Sequence, residues 1–196
     1  MPTRRILIIQ GHPDPKGGHF CHALAQAYAE GAVRAGHEVR HVEVAQLDFP
    51  VLRSQAEWQG GALPLALKPA QDAIQWAQHL VLFFPLWLGD MPALLKAFLE
   101  QVARPGFAFG DGKDRGFVKK GLSGRSARVV VTMGMPALVY RFYFCAHSVK
   151  SLQRNVLGFV GIAPVHETLI GMVEGMDDAT RRQWFAKLRA LGGKAA

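Results

Sequence analysis

Cysteine is scarce in this sequence, which has only Cys21 and Cys145 among its 196 residues. The two do not form a CxxC pair, so neither a disulfide scaffold nor a zinc site is indicated, and both are expected to be free thiols. No stretch reaches the roughly 18 uncharged apolar residues that an integral membrane helix needs. The first residues also lack the order of a signal peptide. We therefore expect a soluble, cytoplasmic protein.

Several catalytic and binding motifs are absent as well. The loop after the first apolar run contains neither GxGxxG nor GxxxxGK[ST], which disfavours a Rossmann dinucleotide site and an ATPase. The sequence contains no GxSxG turn, so a hydrolase is not indicated. No metal site is predicted, because His37, His41, His79 and His166 have no ligand partners at metal-binding spacing and are expected to be structural.

Basic residues outnumber acidic ones, 23 to 15, giving a formal net charge of +8. They are dispersed along the chain rather than gathered in one run, so we expect no nucleic-acid partner. A positive surface of this kind favours the approach of anionic nucleotides.

The sequence shows a regular alternation of strand and helix patterns. Short apolar or alternating runs predict five strands, at residues 4–10, 37–44, 80–84, 127–133 and 164–171. Apolar residues at helical spacing predict five helices, at residues 20–35, 70–78, 92–102, 147–159 and 177–191. Two long connections are predicted between these elements, at residues 45–68 and 104–125.

This order predicts a single domain, residues 1–196, of the α/β class. Right-handed crossovers limit five parallel strands between helical layers to a flavodoxin-like three-layer sandwich with strand order 2-1-3-4-5. In such sheets ligands bind at the carboxyl ends of the strands where the strand order reverses. We therefore expect one crevice formed by residues 11–21, 85–90 and 132–140.

The loop at residues 11–20 lies between the first predicted strand and its helix. Amide groups at a helix start can hold a phosphate, so this loop is a candidate anion cradle. A flexible turn without a ligand is the alternative.

Three segments together resemble one protein family. The most specific is FPLWLGDMPALLK at residues 84–96, which is similar to the strand-three signature of the flavodoxin-2 family of NAD(P)H:quinone oxidoreductases, with its DT-diaphorase-like and modulator of drug activity B groups. The first loop resembles the family's HPxxxSFN stretch, and TMGMP at residues 132–136 resembles its TTGG turn. The resemblance spans nearly the whole chain and implies the flavodoxin-like fold.

The resemblance also implies which residues hold a bound flavin. In the first loop they are His12, His19, Phe20 and Cys21, of which His19 and Cys21 stand where hydroxyl or amide side chains are usual. The residues implied to lie against the flavin ring are Pro85, Leu86, Trp87 and Leu88. At the pyrimidine edge they are Thr132, Met133, Gly134 and Met135, whose main-chain groups make the contacts.

A family member is expected to use NAD(P)H as electron donor, to reduce a quinone or related acceptor, and to form a homodimer. The segment at residues 104–109 resembles the family's extension near the dimer contact, with an ordinary amphipathic loop as the alternative. Either FAD or FMN fits the sequence. FAD is slightly favoured, because Asp48, Phe49 and Pro50 resemble the corresponding start in FAD-binding members.

Two residues are candidates for catalysis. Tyr140 stands eight residues beyond Thr132, the spacing at which the family places a tyrosine beside the nicotinamide and quinone, and His147 follows seven residues later. A phenol donates hydrogen bonds and an imidazole exchanges protons near neutral pH. Because aromatic residues crowd this segment, a core or interface role is the alternative for each.

These expectations define an NAD(P)H dehydrogenase (quinone)-type flavoprotein that transfers two electrons as hydride through its flavin. A flavodoxin-type electron carrier is one alternative, although such carriers are typically acidic and this chain is basic. A flavin-binding ancillary regulator of a membrane transporter is the other.

Overall fold

The computed structural model describes residues 2–110 and 120–196. Its centre is a five-stranded, all-parallel sheet in the order β2-β1-β3-β4-β5. The strands are β1 (Arg5–Gln10), β2 (Glu38–Glu43), β3 (His79–Pro85), β4 (Ser126–Thr132) and β5 (Val165–Ile170). The predicted strand order and fold class are confirmed.

Seven α-helices flank the sheet in the described part of the chain: α1 (Phe20–Arg34), α2 (Gln55–Gly60), α3 (Lys68–Trp76), α4 (Ala93–Val102), α5 (Ala137–Phe142), α6 (His147–Ser151) and α7 (Asp178–Lys194). Helices α1 and α7 cover one face, and α3, α4 and α6 pack against the other. Within residues 2–110 and 120–196, no helix has the length and apolar character needed to cross a bilayer.

Strand β1 shows why the two layers form. Its side chains alternate between faces, with Ile6 and Ile8 in the core under α1 and α7, and with Leu7 and Ile9 in the opposite core. Every residue of β3 is buried. These continuous apolar runs are typical of parallel strands that are covered on both faces.

Two short helices were missing from the sequence prediction. Helix α2 forms inside the connection at residues 45–68, where the Ser54 hydroxyl accepts from the amide of Glu57. The buried guanidinium of Arg104 then donates to the carbonyls of Glu57 and Gly61 at the end of this helix. Helix α5 is the second; it contains Tyr140 and precedes His147.

The remaining elements differ from the prediction at their ends. The helix predicted at residues 147–159 consists of α6 and a π-helical segment over Leu152–Leu157. Helix α7 continues past residue 191 to Lys194. Residues 111–119 of the connection predicted at 104–125 lie outside the described residues.

Helices α1 and α7 approach each other closely through two glycines. A Cβ added at Gly192 would lie 2.0 Å from the carbonyl oxygen of Tyr28, and one at Gly31 would lie 1.9 Å from that of Arg189. Real Cβ atoms do not come this close to main-chain atoms, so only glycine permits this separation of the helices.

Replacing Gly192 with alanine is therefore expected to lower the free energy of unfolding by about 2 kcal/mol or more, because a main-chain clash outweighs the usual helix preference for alanine. Gly193→Ala is the matched control, since its Cβ would lie 3.5 Å from the nearest atom, the carbonyl oxygen of Gly31. Denaturant unfolding of both variants measures the difference. Equal stability of the two would contradict the close approach.

Candidate functional site

Three loops meet at the carboxyl edge of the sheet, as predicted. The amide of Gly11 donates to the carbonyl of Phe83 (2.7 Å), and that of Leu86 donates to Thr132 (2.8 Å). The amide of Met133 donates to Ile170 (2.9 Å). Each loop therefore starts from a hydrogen bond to the neighbouring strand, and the sheet fixes where the three loops lie.

The first loop and the first turn of α1 carry a cluster of three imidazoles, which we call the histidine cluster: His12, His19 and His22. The rings of His12 and His19 stack with their centroids 3.9 Å apart and their planes 14° apart. The ring of His22 lies 5.2 Å from His12 and 5.7 Å from His19. The ring of Trp87, from the loop after β3, meets His12 edge-on at 5.9 Å. The cluster thus joins two of the three loops.

Asp14 organises the loop around this cluster. One of its carboxylate oxygens accepts from the amide of Lys16 (2.9 Å), and the other accepts from Nε2 of His19 (2.7 Å). The hydrogen bond from His19 lowers the pKa of Asp14. Nδ1 of His12 accepts from the amide of Asp14 (3.2 Å), which leaves Nε2 of His12 as its protonated nitrogen when the ring is neutral.

Burial and the neighbouring imidazoles hold His12 in its neutral form. Burial, followed by the charges of His19 and His22, lowers the pKa of His12 to about 4. Burial also lowers the pKa of His22. At neutral pH His12 is therefore neutral, and a bound anion can raise its pKa so that the ring becomes protonated.

Phe20 and Cys21 turn their side chains away from the crevice. The Phe20 ring packs 5.5 Å from Phe185 and lies under the guanidinium of Arg181. Cys21 is buried, its thiol lies 3.5 Å from Oε1 of Gln10, and burial raises its pKa to about 12. These two residues therefore have only main-chain groups to offer a ligand in the crevice.

The start of α1 is suited to an anion. Its N-cap residue, His19, makes no side-chain capping bond, and the first turn holds no acidic residue. Nearby, the buried amide nitrogen of Gln10 has no hydrogen-bond partner among the described residues. A helix start with free amides and a positive dipole end attracts phosphate or carboxylate groups.

The loop after β3 is a tight turn. Trp87 and Asp90 exchange two main-chain hydrogen bonds of 2.9 and 3.0 Å. Between them, Leu88 and Gly89 have φ values of +49° and +82°, so the turn requires the left-handed region. Pro85 is buried and Leu86 half-buried, while Trp87 is half-exposed and Leu88 fully exposed. The turn thus places apolar side chains and main-chain groups at the edge of the sheet where the crevice is expected.

The loop after β4 is held by a hydrogen bond to the segment that follows β5. Thr132 and Met133 are buried, and the carbonyl of Met135 accepts from the amide of Met172 (3.2 Å). Gly134 between them is exposed. Of the four predicted residues in this loop, Gly134 and the half-buried Met135 are therefore the ones at the surface.

The two candidate catalytic residues lie in different environments. Tyr140 is only 2 % exposed, and its hydroxyl lies 2.7 Å from Oγ of Ser148 and accepts from the amide of Val149 (3.3 Å). His147 is exposed at the first residue of α6. Tyr140 thus lies in the hydrophobic core, whereas His147 faces solvent.

Three residues of this site were not named from the sequence: Gln10, Asp14 and His22. The signal for Asp14 was available, because Asp-Pro-Lys-Gly is a strong turn sequence with an Asp side chain that bonds two residues onward. His22 follows His19 at helical spacing. Nothing in the sequence indicated that Gln10 would lie beneath the loop.

Comparison with known proteins agrees with this geometry. A family model described as a flavodoxin-like fold matches residues 4–191. The chain is similar to an uncharacterized NAD(P)H oxidoreductase of Haemophilus influenzae, at 26% identity over 182 residues, which cover 90% of this chain and 88% of that protein. It is also similar to an FMN-dependent NADH:quinone oxidoreductase of Ruegeria pomeroyi, at 37% identity over 144 residues, covering 65% of this chain and 70% of the relative.

Among solved structures, the NAD(P)H:quinone oxidoreductase of Methanothermobacter marburgensis superimposes with a TM-score of 0.81 at 24% identity, covering 98% of this chain and 97% of that one. This likeness concerns the fold. Because the family model covers nearly the whole chain and the motifs at residues 84–96 and 132–136 lie at the expected edge of the sheet, the chain belongs to the flavodoxin-2 family.

Proposed function

We propose that this protein is an NAD(P)H-dependent flavin oxidoreductase that reduces quinones or similar acceptors by two-electron transfer. The observation that carries the proposal is the convergence of the three family motifs at the carboxyl ends of β1, β3 and β4. The names of the relatives, NAD(P)H oxidoreductase and NADH:quinone oxidoreductase, support this activity.

The first loop fits the phosphate of a flavin. The start of α1 offers free amides, and Gly17 and Gly18, at φ values of +69° and +77°, border open space in which an added Cβ would meet no atom within 4 Å. The histidine cluster adds imidazole N–H donors, and the orphaned amide of Gln10 adds one beneath the loop. This donor set suits an oxyanion better than an apolar group.

We propose FMN as the flavin. The relatives whose names specify a flavin specify FMN, so the slight preference for FAD is not supported. Two of the residues that favoured FAD make structural contacts: Phe49 packs against Phe98, and the carbonyl of Pro50 accepts a hydrogen bond from the side-chain amide of Gln101. The segment therefore closes the core over α4.

The loop after β3 would hold the flavin ring. When bound, the flavin supplies the hydride chemistry between NAD(P)H and the acceptor. Pro85, Leu86 and the half-exposed Trp87 are apolar side chains from which a bound flavin ring would exclude water, and the His12 ring meets the Trp87 ring edge-on. Gly134 and Met135 are the residues of the loop after β4 that are placed to offer main-chain groups to the ring.

For the predicted catalytic pair we propose separate roles. His147, exposed at the start of α6, is the proposed group that exchanges a proton with the acceptor. Tyr140 is a positioning residue, because its buried hydroxyl holds the first turn of α6 through Ser148 and Val149. Its substitution should therefore be felt in stability more than in turnover.

A homodimer remains part of the proposal. Helix α5 and its end expose a set of large apolar side chains, Leu138, Phe142 and Tyr143, each more than two-thirds exposed. A separate groove of about 450 Å³ is lined largely by apolar residues, including Trp58 of α2, Leu99 of α4 and Phe159, which follows the π-helical segment. Exposed apolar surface of this extent is typical of an interaction site.

The cytoplasmic location stays a prediction.

The direct test of the activity is a reductive titration of the FMN-loaded protein without oxygen. NADH or NADPH should bleach the visible flavin absorption, and a soluble quinone should restore it, with turnover of about 1 per second or faster. Tight flavin binding with negligible turnover would favour the carrier or the regulator instead. Failure to take up either FMN or FAD would contradict the flavin assignment.

A second prediction concerns pH. A phosphate dianion beside His12 raises its pKa from about 4, so binding takes up protons, and the added affinity is lost as pH rises through the pKa of the complex. Between about pH 6.5 and about pH 8.5, above the second pKa of the phosphate, the Kd for FMN should rise roughly threefold to tenfold.

The control ligand is riboflavin, which has the same ring without the phosphate. Its Kd should change little over this range, and fluorescence quenching measures both. The other titratable groups in and around the histidine cluster are His19, His22, Asp14 and Glu43. His12→Asn should remove most of the pH dependence of the Kd for FMN. Parallel pH dependence for both ligands would contradict the role of the cluster.

A third prediction separates the catalytic roles. Tyr140→Phe should lower the free energy of unfolding by about 1 kcal/mol, because Val149 loses its acceptor, and should change kcat less than about threefold. His147→Gln should lower kcat about 100-fold while the unfolding midpoint stays the same. Steady-state kinetics and denaturant unfolding of both variants measure this. The reverse pattern would restore Tyr140 as a catalytic residue.

A further inference from the structure

The loop after β5, residues 171–177, lies at the same edge of the sheet as the three family motifs. Strand β5 pairs with β4 up to the last residue of both strands, so the two following loops start side by side. The amide of Met172 donates to the carbonyl of Met135 (3.2 Å), and the amide of Val173 donates to that of Met133 (3.3 Å). These bonds hold the loop after β5 against the loop after β4.

The first residue of this loop allows the close contact. A Cβ added at Gly171 would lie 2.4 Å from the amide nitrogen of Ala137 and 2.6 Å from the carbonyl oxygen of Met135. Side chains larger than hydrogen do not fit at such distances. The start of the loop is therefore fixed against the residues that lead into α5.

The second half of the loop is anchored to α7. Nη2 of Arg181 donates to the carbonyl of Val173 (3.1 Å), and its Nε donates to that of Met176 (3.1 Å). Val173 and Met176 pack against the core under α1 and α7. Glu174 and Gly175, which lie between these two anchors, are exposed. Glu174 thus has a main chain that is held on both sides.

The carboxylate of Glu174 lies beside the loop after β4. A Cβ added at Gly134 would lie 3.6 Å from Oε1 of Glu174 and 3.8 Å from its Cδ. Gly134 is the exposed residue of that loop, and its main chain is proposed above to face the flavin ring. The carboxylate is therefore placed where the pyrimidine edge of the ring would lie.

A carboxylate at this position needs a donor to face it. Glu174 forms no ion pair within residues 2–110 and 120–196. FMN and NAD(P)H are anionic, so a carboxylate without a partner repels them unless the ligand offers it a hydrogen-bond donor. In oxidised FMN the N–H donor of the ring system is N3–H, which is on the pyrimidine edge.

We propose that Glu174 contacts the flavin, with its carboxylate accepting a hydrogen bond from N3–H. This inference rests on the proposed function, because it assumes that the flavin binds at this edge of the sheet. A hydrogen bond to an ionised acceptor is roughly twice as strong as a neutral one. Glu174 therefore fixes the pyrimidine end of the ring, while the loop after β1 binds the phosphate.

The test compares FMN with 3-methyl-FMN, in which a methyl group replaces the hydrogen on N3. Fluorescence quenching measures both Kd values. For the wild-type protein the Kd for 3-methyl-FMN should exceed that for FMN about tenfold or more, and Glu174→Ala should reduce this ratio to less than about threefold. Because Glu174 is exposed, the unfolding midpoint of the variant should stay the same.

Asp178→Asn is the matched control. Asp178 is an exposed acidic residue in the first turn of α7, so this variant removes the same charge four residues further along the chain. It should keep the wild-type ratio of the two Kd values. An equal fall in the ratio with Asp178→Asn would overturn the proposal, because it would show a general effect of charge.

A second measurement uses the charge of the carboxylate. Reduction adds negative charge to the pyrimidine part of the ring, which a neighbouring carboxylate disfavours. Glu174→Gln should therefore lower the ratio of the Kd for reduced FMN to that for oxidised FMN about threefold or more, measured from the reduction potentials of free and bound FMN. An unchanged ratio would contradict the contact.

The outcomes separate this inference from the proposed function. Equal Kd values for FMN and 3-methyl-FMN in the wild-type protein would overturn the role of Glu174 and leave the flavin assignment intact. Failure to bind either flavin would overturn both. If Glu174→Ala keeps the ratio but raises the KM for NAD(P)H, the carboxylate serves the carboxamide of the nicotinamide, and the contact with N3–H is wrong.

Discussion

The parallel pairing of β1 with β3 determines where everything else in this protein lies. Their register aligns Ile6 with His79 and Gln10 with Phe83, so β1 ends two residues before the end of β3, and Gly11 closes the pair with a hydrogen bond to Phe83. The chain leaves β1 toward β2 on one side and returns to β3 on the other. The loops must therefore diverge at this edge, and the gap between them is the crevice.

The two edges of the sheet have different electrostatic character for the same topological reason. At the carboxyl edge, helix starts and neutral imidazoles provide donors with little net charge, which suits an anionic group attached to a large planar ring. At the amino edge, Arg4, Arg125 and Lys194 lie around one cavity, whose lining also includes the last residue, Ala196. Part of the net charge of +8 is thus concentrated at one place, although the basic residues are dispersed in sequence.

The sequence predicted those features that depend on local pattern. Continuous apolar runs such as residues 80–84 identify strands buried on both faces, and the motif at residues 84–96 identified the family. Features that depend on distant partners were not predicted. Helix α2 has only six residues, and it is completed by Arg104, which lies over 40 positions away. Tyr140 matched the family spacing, but its burial follows from α5, a helix too short to give a periodic signal.

Histidines illustrate the same limit. His79 was expected to be structural, and its bond to Ser126 fits that role, but the orphaned nitrogen on its other side could only be seen in three dimensions. His12 and His19 were named from the motif, whereas their stacking with each other and their relation to Trp87 come from the turn that Asp14 makes.

We propose that the loop after β1, with its histidine cluster, holds the phosphate of FMN while the turn after β3 holds the ring. A crystal structure of the FMN complex tests it most directly. We expect the phosphate at the first turn of α1, within hydrogen-bond distance of the imidazole of His12 or His19, and the ring against Pro85 to Trp87. A flavin bound elsewhere, or a phosphate that points away from this loop into solvent, would contradict it.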